Sequence, residues 1–504
     1  MKQPMNRSTE GCWTCRIRHR KCDELRPICK ECSDRLISCH GYGPKPGWVD
    51  DPSQLDAELT RIKRAVNENF RRNKRLRKGR SSTARKPPGG HEVLDFSEPV
   101  ARAVSPSVGM PYRESHLLIH YLDYIFPLQF PYYVDNPELG GRGWLFWLLM
   151  RNGPLNQAIL TLSALHHHAR FSNKTGTTER ELIEYHTRAL QGLRETLLQY
   201  QVDGFAASNE RLIDFLGCGS TLLSFEVFRG GTASWQPHLN ALSMVVDRMA
   251  PSPSQVPSGH QGAFFKAAPK EADSVENAKA FMVATLLWFD LLACTSCGTS
   301  PKISSYELWL DRSGIEIGPL MGCYNWTMKA IGDIGTLSAR VASGDSEVPA
   351  EALDVKERLE AGLSQLDSAR EPPIPRAHAV SRVFATAALV ELYTLYPNLC
   401  MPDLGVAEAV ERVMASIRVL PERVSLRGLT WPICIAGSMA NPDQQLFFET
   451  MMSKILNPSG PGFSNCDTVF RIMKHCWNYR RNHPGEPWNW RDGMKDMGIC
   501  ALLV

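Results

Sequence analysis

The sequence is poor in everything that marks a membrane protein, a β-rich fold or an enzyme. No apolar run approaches the roughly 20 residues that a membrane-spanning helix needs. The longest, FMVATLLWFDLLAC near 281–294, is broken by Asp290, so no membrane partner is expected. Runs that alternate apolar and polar residues between turn signals are almost absent, which argues against a sandwich or barrel. No fixed-period repeat of the solenoid kind is present. There is no nucleophile elbow, phosphate-cradling glycine loop or zinc-protease helix, so no catalytic residue and no enzyme activity are predicted. No hydrophobic leader precedes the first cysteine (the start reads MKQPMNRSTE), and the 15 cysteines are odd in number. Both points favour a reduced intracellular compartment over a disulfide scaffold. Nor is there a long acidic-hydrophobic tract that would separate an activator from a repressor.

Against these absences stands one dense segment. Cys12, Cys15, Cys22, Cys29, Cys32 and Cys39 follow C-x2-C-x6-C, six residues, then C-x2-C-x6-C again. Structural zinc takes four ligands, with thiolate at about 2.3 Å. Six thiols cannot fill two separate tetrahedra, but they can fill two that share a thiol from each half. Cys12 and Cys29 are the natural bridges, because each opens its half. Two zinc ions are therefore expected. The halves differ in charge: Arg16, Ile17, Arg18, His19, Arg20 and Lys21 lie between Cys15 and Cys22, whereas Cys32 and Cys39 enclose Ser33, Asp34, Arg35, Leu36, Ile37 and Ser38. Some of the positive charge balances the cluster's own net negative charge. The surplus points to an external anion, as on a short helix that enters a DNA groove while its flanks grip phosphate.

Residues 11–47, GCWTCRIRHRKCDELRPICKECSDRLISCHGYGPKPG, resemble the binuclear zinc-cluster DNA-binding domain of fungal transcription factors. The resemblance implies that Cys12, Cys15, Cys22 and Cys29 hold one zinc and Cys12, Cys29, Cys32 and Cys39 the other. It implies that Arg18 and His19 read bases at the end of the first helix, in CGG-type triplets of double-stranded DNA. Arg16, Arg20 and Lys21 would then contact phosphate or neutralise the cluster. Pro27 takes the place of the family's proline in the loop between the halves. His19 departs from the family's usual lysine or arginine; a neutral imidazole donates only one hydrogen bond to guanine.

Charge divides the rest of the chain. Residues 1–90 carry 22 Lys/Arg against 10 Asp/Glu, a net of +12, and the remainder carries 35 against 43, a net of −8. A polyanion-binding head on an acidic body follows. The Gly/Pro-rich stretch 40–54 reads as an extended linker. Leu55, Leu59, Ile62, Val66, Asn69, Asn73 and Leu76 then alternate steps of four and three, a short heptad seam with Ile62 and Val66 as its central apolar pair. Such a seam would hold a homodimer through 55–76; the alternative is a solvated basic helix whose spacing is accidental. RRNKRLRKGR at 71–80 is a basic cluster of the kind read by nuclear import, which places the protein in the nucleus. The chain thus reads as a zinc-cluster domain (1–48), a linker and basic heptad helix (49–78), a disordered tether (79–111, rich in Ser, Pro and Gly) and a helical body (112–504).

Helical spacing recurs through that body at 114–126, 142–152, 155–171, 179–200, 210–228, 278–294, 378–396 and 409–420. A Pro/Ser-rich interruption at 251–275 reads as a surface loop. The fold class is mainly all-α: a small zinc-stapled domain, a short basic helix and a large helical array. Four strings, HYLDYIFPLQFPYY (120–133), GRGWLFWLLMRNGPLNQAILTLSALHHH (141–168), FRGGTASWQPHLNAL (228–242) and LRGLTWPICIAGSMA (426–440), resemble the regulatory region that accompanies such clusters in filamentous fungi. That broad group includes acriflavine-sensitivity regulators and regulators of metabolite pathways. The triplet His166, His167 and His168 cannot converge on one metal from a single helix. Cys294 and Cys297 read as buried free thiols at the end of an apolar helix, and Trp144, Trp147, Trp235, Trp288, Trp431, Trp488 and Trp490 as core. The resulting expectation is a nuclear, sequence-specific regulator of RNA polymerase II transcription that partners with co-regulators or the transcription machinery. The alternative is a nuclear scaffold whose zinc cluster is purely structural.

Overall fold

A computed structural model describes residues 11–24, 29–33, 37, 39–63, 66, 111–133, 135, 141–151, 153–171, 176–203, 209–232, 235–250, 271–344, 349–368, 375–399, 405–456 and 464–504. The Pro27 loop, the basic cluster 71–80, the seam beyond Val66 and all of the 79–111 tether except Pro111 lie outside them. The chain separates into two compact units, Met1–Pro106 and Ser107–Val504. Among the described residues every regular element is a helix or helical turn.

The first unit holds α1 (Trp13–Ile17), α2 (Lys30–Ser33) and α3, helical over 52–63. Such short helices are not stable alone; the cysteines between them form the core. Residues 40–54 are not a free linker. The amide of Trp13 donates to the Gly41 carbonyl at 3.0 Å and its indole to the Gly43 carbonyl at 2.8 Å. Thr14 Oγ1 pairs with His40 Nδ1 at 2.7 Å. A 3-10 turn, Gly47–Val49, follows. Helix α3 then starts at Pro52, whose missing N–H is no loss at a first helical position. The Asp51 carboxylate caps it, accepting from the Ser53 and Gln54 amides at 2.9 and 3.3 Å.

The heptad face of α3 is turned onto its own unit. Ile62 is 3% exposed and packs among the cluster cysteines and Ile37, with Val66 partly buried beside it. Leu55 and Leu59 are half-buried, and Glu58 reaches His40 Nε2 at 3.2 Å. Among the described seam residues, Ile62 is therefore covered within one chain and Leu55, Leu59 and Val66 partly so. A four-three spacing reports an apolar stripe but not its occupant, and the cluster lies within reach of this helix.

The second unit is a helical array. Its first half runs α4 (Tyr112–His120), a π-turn at Tyr121–Ile125, α5 (Phe126–Gln129), α6 (Gly143–Leu149), α7 (Pro154–Phe171), α8 (Gly176–Asp203), α9 (Asn209–Phe228), α10 (Gln236–Arg248) and α11 (Glu271–Cys297). Then come α12 (Tyr306–Arg312), α13 (Gly318–Met321), α14 (Asn325–Ala342), α15 (Ala350–Ser368), α16 (Arg376–Leu395), α17 (Gly405–Arg418), α18 (Thr430–Met439), α19 (Pro442–Leu456), α20 (Cys466–Asn482) and α21 (Trp490–Asp496). The expected loop at 251–275 ends early, because α11 begins at Glu271.

Three helices are apolar nearly all round and lie at the centre: α9, α16 and α18. A helix without a polar face must be enclosed. Gly219 allows α10 to approach α9, for a Cβ there would meet Leu242 Cδ2 at 2.5 Å. By contrast α17 is a surface helix, burying one stripe of Ala409, Val410, Val413, Met414 and Ile417. Helix α11 corrects the membrane argument. Over Val275–Cys297 it is long and apolar enough to cross a bilayer by length and composition, yet it is mostly buried. Its Asp290 is covered too, its carboxylate accepting from the Ile303 amide at 2.8 Å.

Trp235, Trp431 and Trp490 are fully buried, as expected of core tryptophans. The Trp490 indole donates to Glu391 Oε2 at 2.7 Å, and the Arg491 guanidinium pairs with Glu391 Oε1. Trp488, in contrast, is half-buried and stacks on Tyr479.

Candidate metal centre and nucleic-acid interface

The cysteine spacing closes into a compact sulfur group. Cys12, Cys15, Cys29 and Cys32 are all buried, with their sulfurs within 4.8 Å of one another. Cys12 Sγ lies 3.6 Å from Cys29 and 3.8 Å from Cys32, and Cys15 Sγ lies 3.6 and 3.9 Å from the same two. With zinc–sulfur bonds of about 2.3 Å, the edge of a ZnS4 tetrahedron is about 3.8 Å. The donor set fits zinc in chemistry and in scale. Cys29 also belongs to a second group, with Cys22 and Asp23, and Cys39 lies against Cys12 and Cys32. Cys29 is thus common to both groups. The ligand sets implied by resemblance divide Cys15 and Cys32 between two ions, whereas here these two sulfurs fall in one group.

Burial pushes the Cys12, Cys15 and Cys32 thiols up. Cys22 is also raised by burial, but bonds from the Cys12 and Glu24 backbone and the Tyr42 hydroxyl outweigh this and hold it at about 7. Zinc must displace protons from the raised thiols, which makes loading pH-dependent.

The basic residues emerge where α1 ends. Cys12 caps its start, its sulfur accepting from the Cys15 amide at 3.4 Å. At the other end Arg18 is the C-cap, and His19 is left-handed with φ of 53°. That conformation is uncommon for a non-glycine residue; it turns the chain so that the Arg20 amide reaches the Cys15 carbonyl at 2.9 Å. Arg16, His19, Arg20 and Lys21 are exposed. The Arg16 guanidinium lies over the Trp13 ring, 4.1 Å from its centroid. Arg18 differs from the rest: it is half-buried, with Nη2 3.9 Å from Glu31 Oε1 on α2. It bridges the two halves of the module.

Spacing alone did not reveal the residues that brace this end. Thr14, His40 and Glu58 form a chain of contacts from α1 to α3, but they carry no motif. A second omission was visible. His116 and His120 sit four apart on α4, and His120 Nε2 lies 2.8 Å from His166 Nδ1 on α7. Burial, with His167, His116 and two arginines nearby, holds His120 down at about 4; burial and His120 do the same for His166. The histidine triplet thus contributes one member to a buried neutral pair.

One unit thus holds a sulfur-stapled basic helix and the other a helical array. The comparisons agree for both units. Residues 10–48 match the fungal Zn(2)-Cys(6) binuclear cluster domain and residues 116–504 the fungal specific transcription factor domain. Pestheic acid cluster transcriptional regulator 3 of Pestalotiopsis fici is 26% identical over 100% of both chains. The trichothecene biosynthesis transcription regulator of Trichoderma arundinaceum is 27% identical over 78% of this chain and 98% of its own. The transcription factor phomR of Diaporthe leptostromiformis is 57% identical over 44 residues, 9% of this chain and 7% of its own. No solved structure matches. The chain belongs to the fungal zinc-cluster transcription factors, whose cluster domain binds two zinc ions.

Proposed function

We propose that the protein is a nuclear, sequence-specific DNA-binding regulator of RNA polymerase II transcription that controls the genes of a biosynthetic pathway. The observation that carries this reading is the exposed basic end of α1, held rigid by the sulfur cluster. Its His19, Arg20 and Lys21 lie on a turn that can enter a major groove, while Arg16 lies at the flank. In this reading His19 and Arg18 contact the bases of a CGG-type triplet. Arg18 must first exchange its half-buried partner Glu31, 3.9 Å away, for the guanine edge. Relatives named for the pestheic acid cluster and for trichothecene biosynthesis support a pathway-level role. The inward-facing stripe of α3 supports a module that binds one triplet per copy, with the basic stretch 61–86 supplying affinity through phosphate. The helical body would set activity through co-regulators.

The test is a band-shift titration of the full-length protein on triplet-bearing and random duplexes across salt concentrations. Arg18→Ala and His19→Ala are expected to reduce discrimination by roughly 1–3 kcal/mol per lost base contact. Lys21→Ala is expected to weaken both duplexes alike and to reduce the salt slope by about one unit. If random DNA competes as well as triplet DNA, the cluster is a structural staple and the scaffold reading replaces this one.

A further inference from the structure

The body holds a sulfur pair that the DNA-binding role does not use. Cys297 ends α11, and Cys500 lies in the 499–504 segment beyond α21. They are 203 residues apart in sequence, yet their sulfurs are 3.4 Å apart. That is van der Waals contact between unbonded sulfurs. A disulfide needs about 2.05 Å, a closure within the range of small side-chain rotations. Both residues are half-buried, whereas the neighbouring Cys294 is buried. Cys294 is also committed elsewhere, its thiol lying 3.1 Å from the Leu291 carbonyl.

The segment carrying Cys500 is anchored on every side. Its carbonyl accepts from the Trp235 indole at 3.0 Å. The Leu502 amide donates to Gly231 at 2.9 Å, and its carbonyl accepts from Asn465 Nδ2 at 2.8 Å. Ala501, Leu502 and Leu503 are fully buried. Cys500 is therefore held against Cys297 by contacts that do not involve either sulfur. Its electrostatic surroundings favour the thiolate. The contact with Cys297 is the largest influence lowering it and, against the opposing effect of burial, Gln236 and Lys302 help hold it at about 7. Cys297 is pushed up, first by that same contact and then by burial. An attacking thiol with a pKa near ambient pH combines thiolate fraction with nucleophilicity.

We propose that Cys500 and Cys297 form an oxidant-reactive site at which a hydroperoxide makes a reversible disulfide, Cys500 attacking and Cys297 resolving. The Cys500 thiolate takes the terminal oxygen of the peroxide as the O–O bond breaks, forming a sulfenic acid and releasing hydroxide from hydrogen peroxide or alkoxide from an organic hydroperoxide. Its sulfur is oxidised and the peroxide is reduced. The Cys297 sulfur then attacks the sulfenic sulfur. The S–S bond forms, the S–O bond breaks, and the Cys297 proton leaves with the hydroxyl as water. The product ties the end of α11 to the 499–504 segment. Val504 of that segment lines a cavity with Tyr132, Ser224, Trp288 and Arg427, so the bond fixes one wall of it.

The test treats the full-length, zinc-loaded protein with stoichiometric hydrogen peroxide, blocks the remaining thiols with iodoacetamide and maps peptides by mass spectrometry. A linked Cys297–Cys500 peptide, two hydrogens lighter than its parts and released by dithiothreitol, is expected before any loss of zinc. Cys297→Ser should leave Cys500 as a sulfenic acid that dimedone captures. Cys500→Ser should abolish both products. The wild-type map needs no variant to fold. A Cys294–Cys297 bond, oxidation first at the zinc cluster, or dimedone capture at Cys297 instead of Cys500 would overturn the assignment.

Discussion

Replacing Ile62 by Ala tests whether α3 belongs to the metal module or to a dimer. Ile62 is 3% exposed, so nearly its whole side chain has left water. Full burial of such a side chain contributes about 1.5–3 kcal/mol, and the space left by truncation raises the cost to about 2–5 kcal/mol. It belongs to the same small core as the cluster cysteines and Ile37, so the loss falls on the zinc-bound fold. A cost of about 3 kcal/mol corresponds to a factor of more than 100 in an equilibrium constant. Full-length protein would be challenged with a graded chelator and zinc release followed by a chromogenic indicator. We expect Ile62→Ala to release zinc at a chelator concentration lower by one to two orders of magnitude, independent of protein concentration. Ile62→Asp should be worse, since it buries a carboxylate without a counterion. Unchanged zinc retention, together with a concentration-dependent loss of paired-site binding, would refute the inward packing and restore the dimer seam.

Further outcomes follow from other parts of the molecule. Elemental analysis should find two zinc ions per chain. Chelation should abolish DNA binding while circular dichroism keeps most of its helical signal, because the body's core contains none of the six cluster cysteines. Arg491→Met should lower body stability by about 3–5 kcal/mol in denaturant titration, because it leaves the fully buried Glu391 without its guanidinium partner. Thermal stability should fall as pH drops from about 6.5 towards the value of about 4 to which His120 and His166 are held. Below the ordinary imidazole range the unfolded chain takes up protons that the folded pair refuses, so folding is penalised. His166→Gln should flatten that slope in melts across the interval.

Much of this was legible in the sequence, for a reason that differs by region. The cluster could be read because metal coordination imposes spacing directly on the chain, and a basic run between two ligands has few other uses. Helices α7, α9 and α16 were visible because their apolar content leaves no other stable arrangement. The direction of the α3 stripe was not visible: periodicity is the same whether Ile62 meets a second copy or the cysteines of its own unit. The tie between α1, His40 and Glu58 escaped for a similar reason, since single hydrogen bonds across loops leave no pattern. Cys500 was one unremarked thiol until the fold set it beside Cys297. The basic run at the end of α1 was visible in composition, but its internal division was hidden: Arg16 covers Trp13, and Arg18 reaches back to α2.

Helix α11 has a consequence for how the protein is made. In the finished body it is enclosed by α9, α10 and α14, and only its composition resembles that of a bilayer span. During translation the first two of these already exist when Cys297 is added, but α14 is not complete until Ala342. At roughly 5–20 residues per second, that leaves an interval of seconds in which one side of a membrane-like helix is bare on the nascent chain. A ribosome-associated chaperone that shields apolar segments is expected to engage the chain there, and ribosome profiling of chaperone-bound nascent chains should show engagement rising after residue 297 and falling once α14 has emerged.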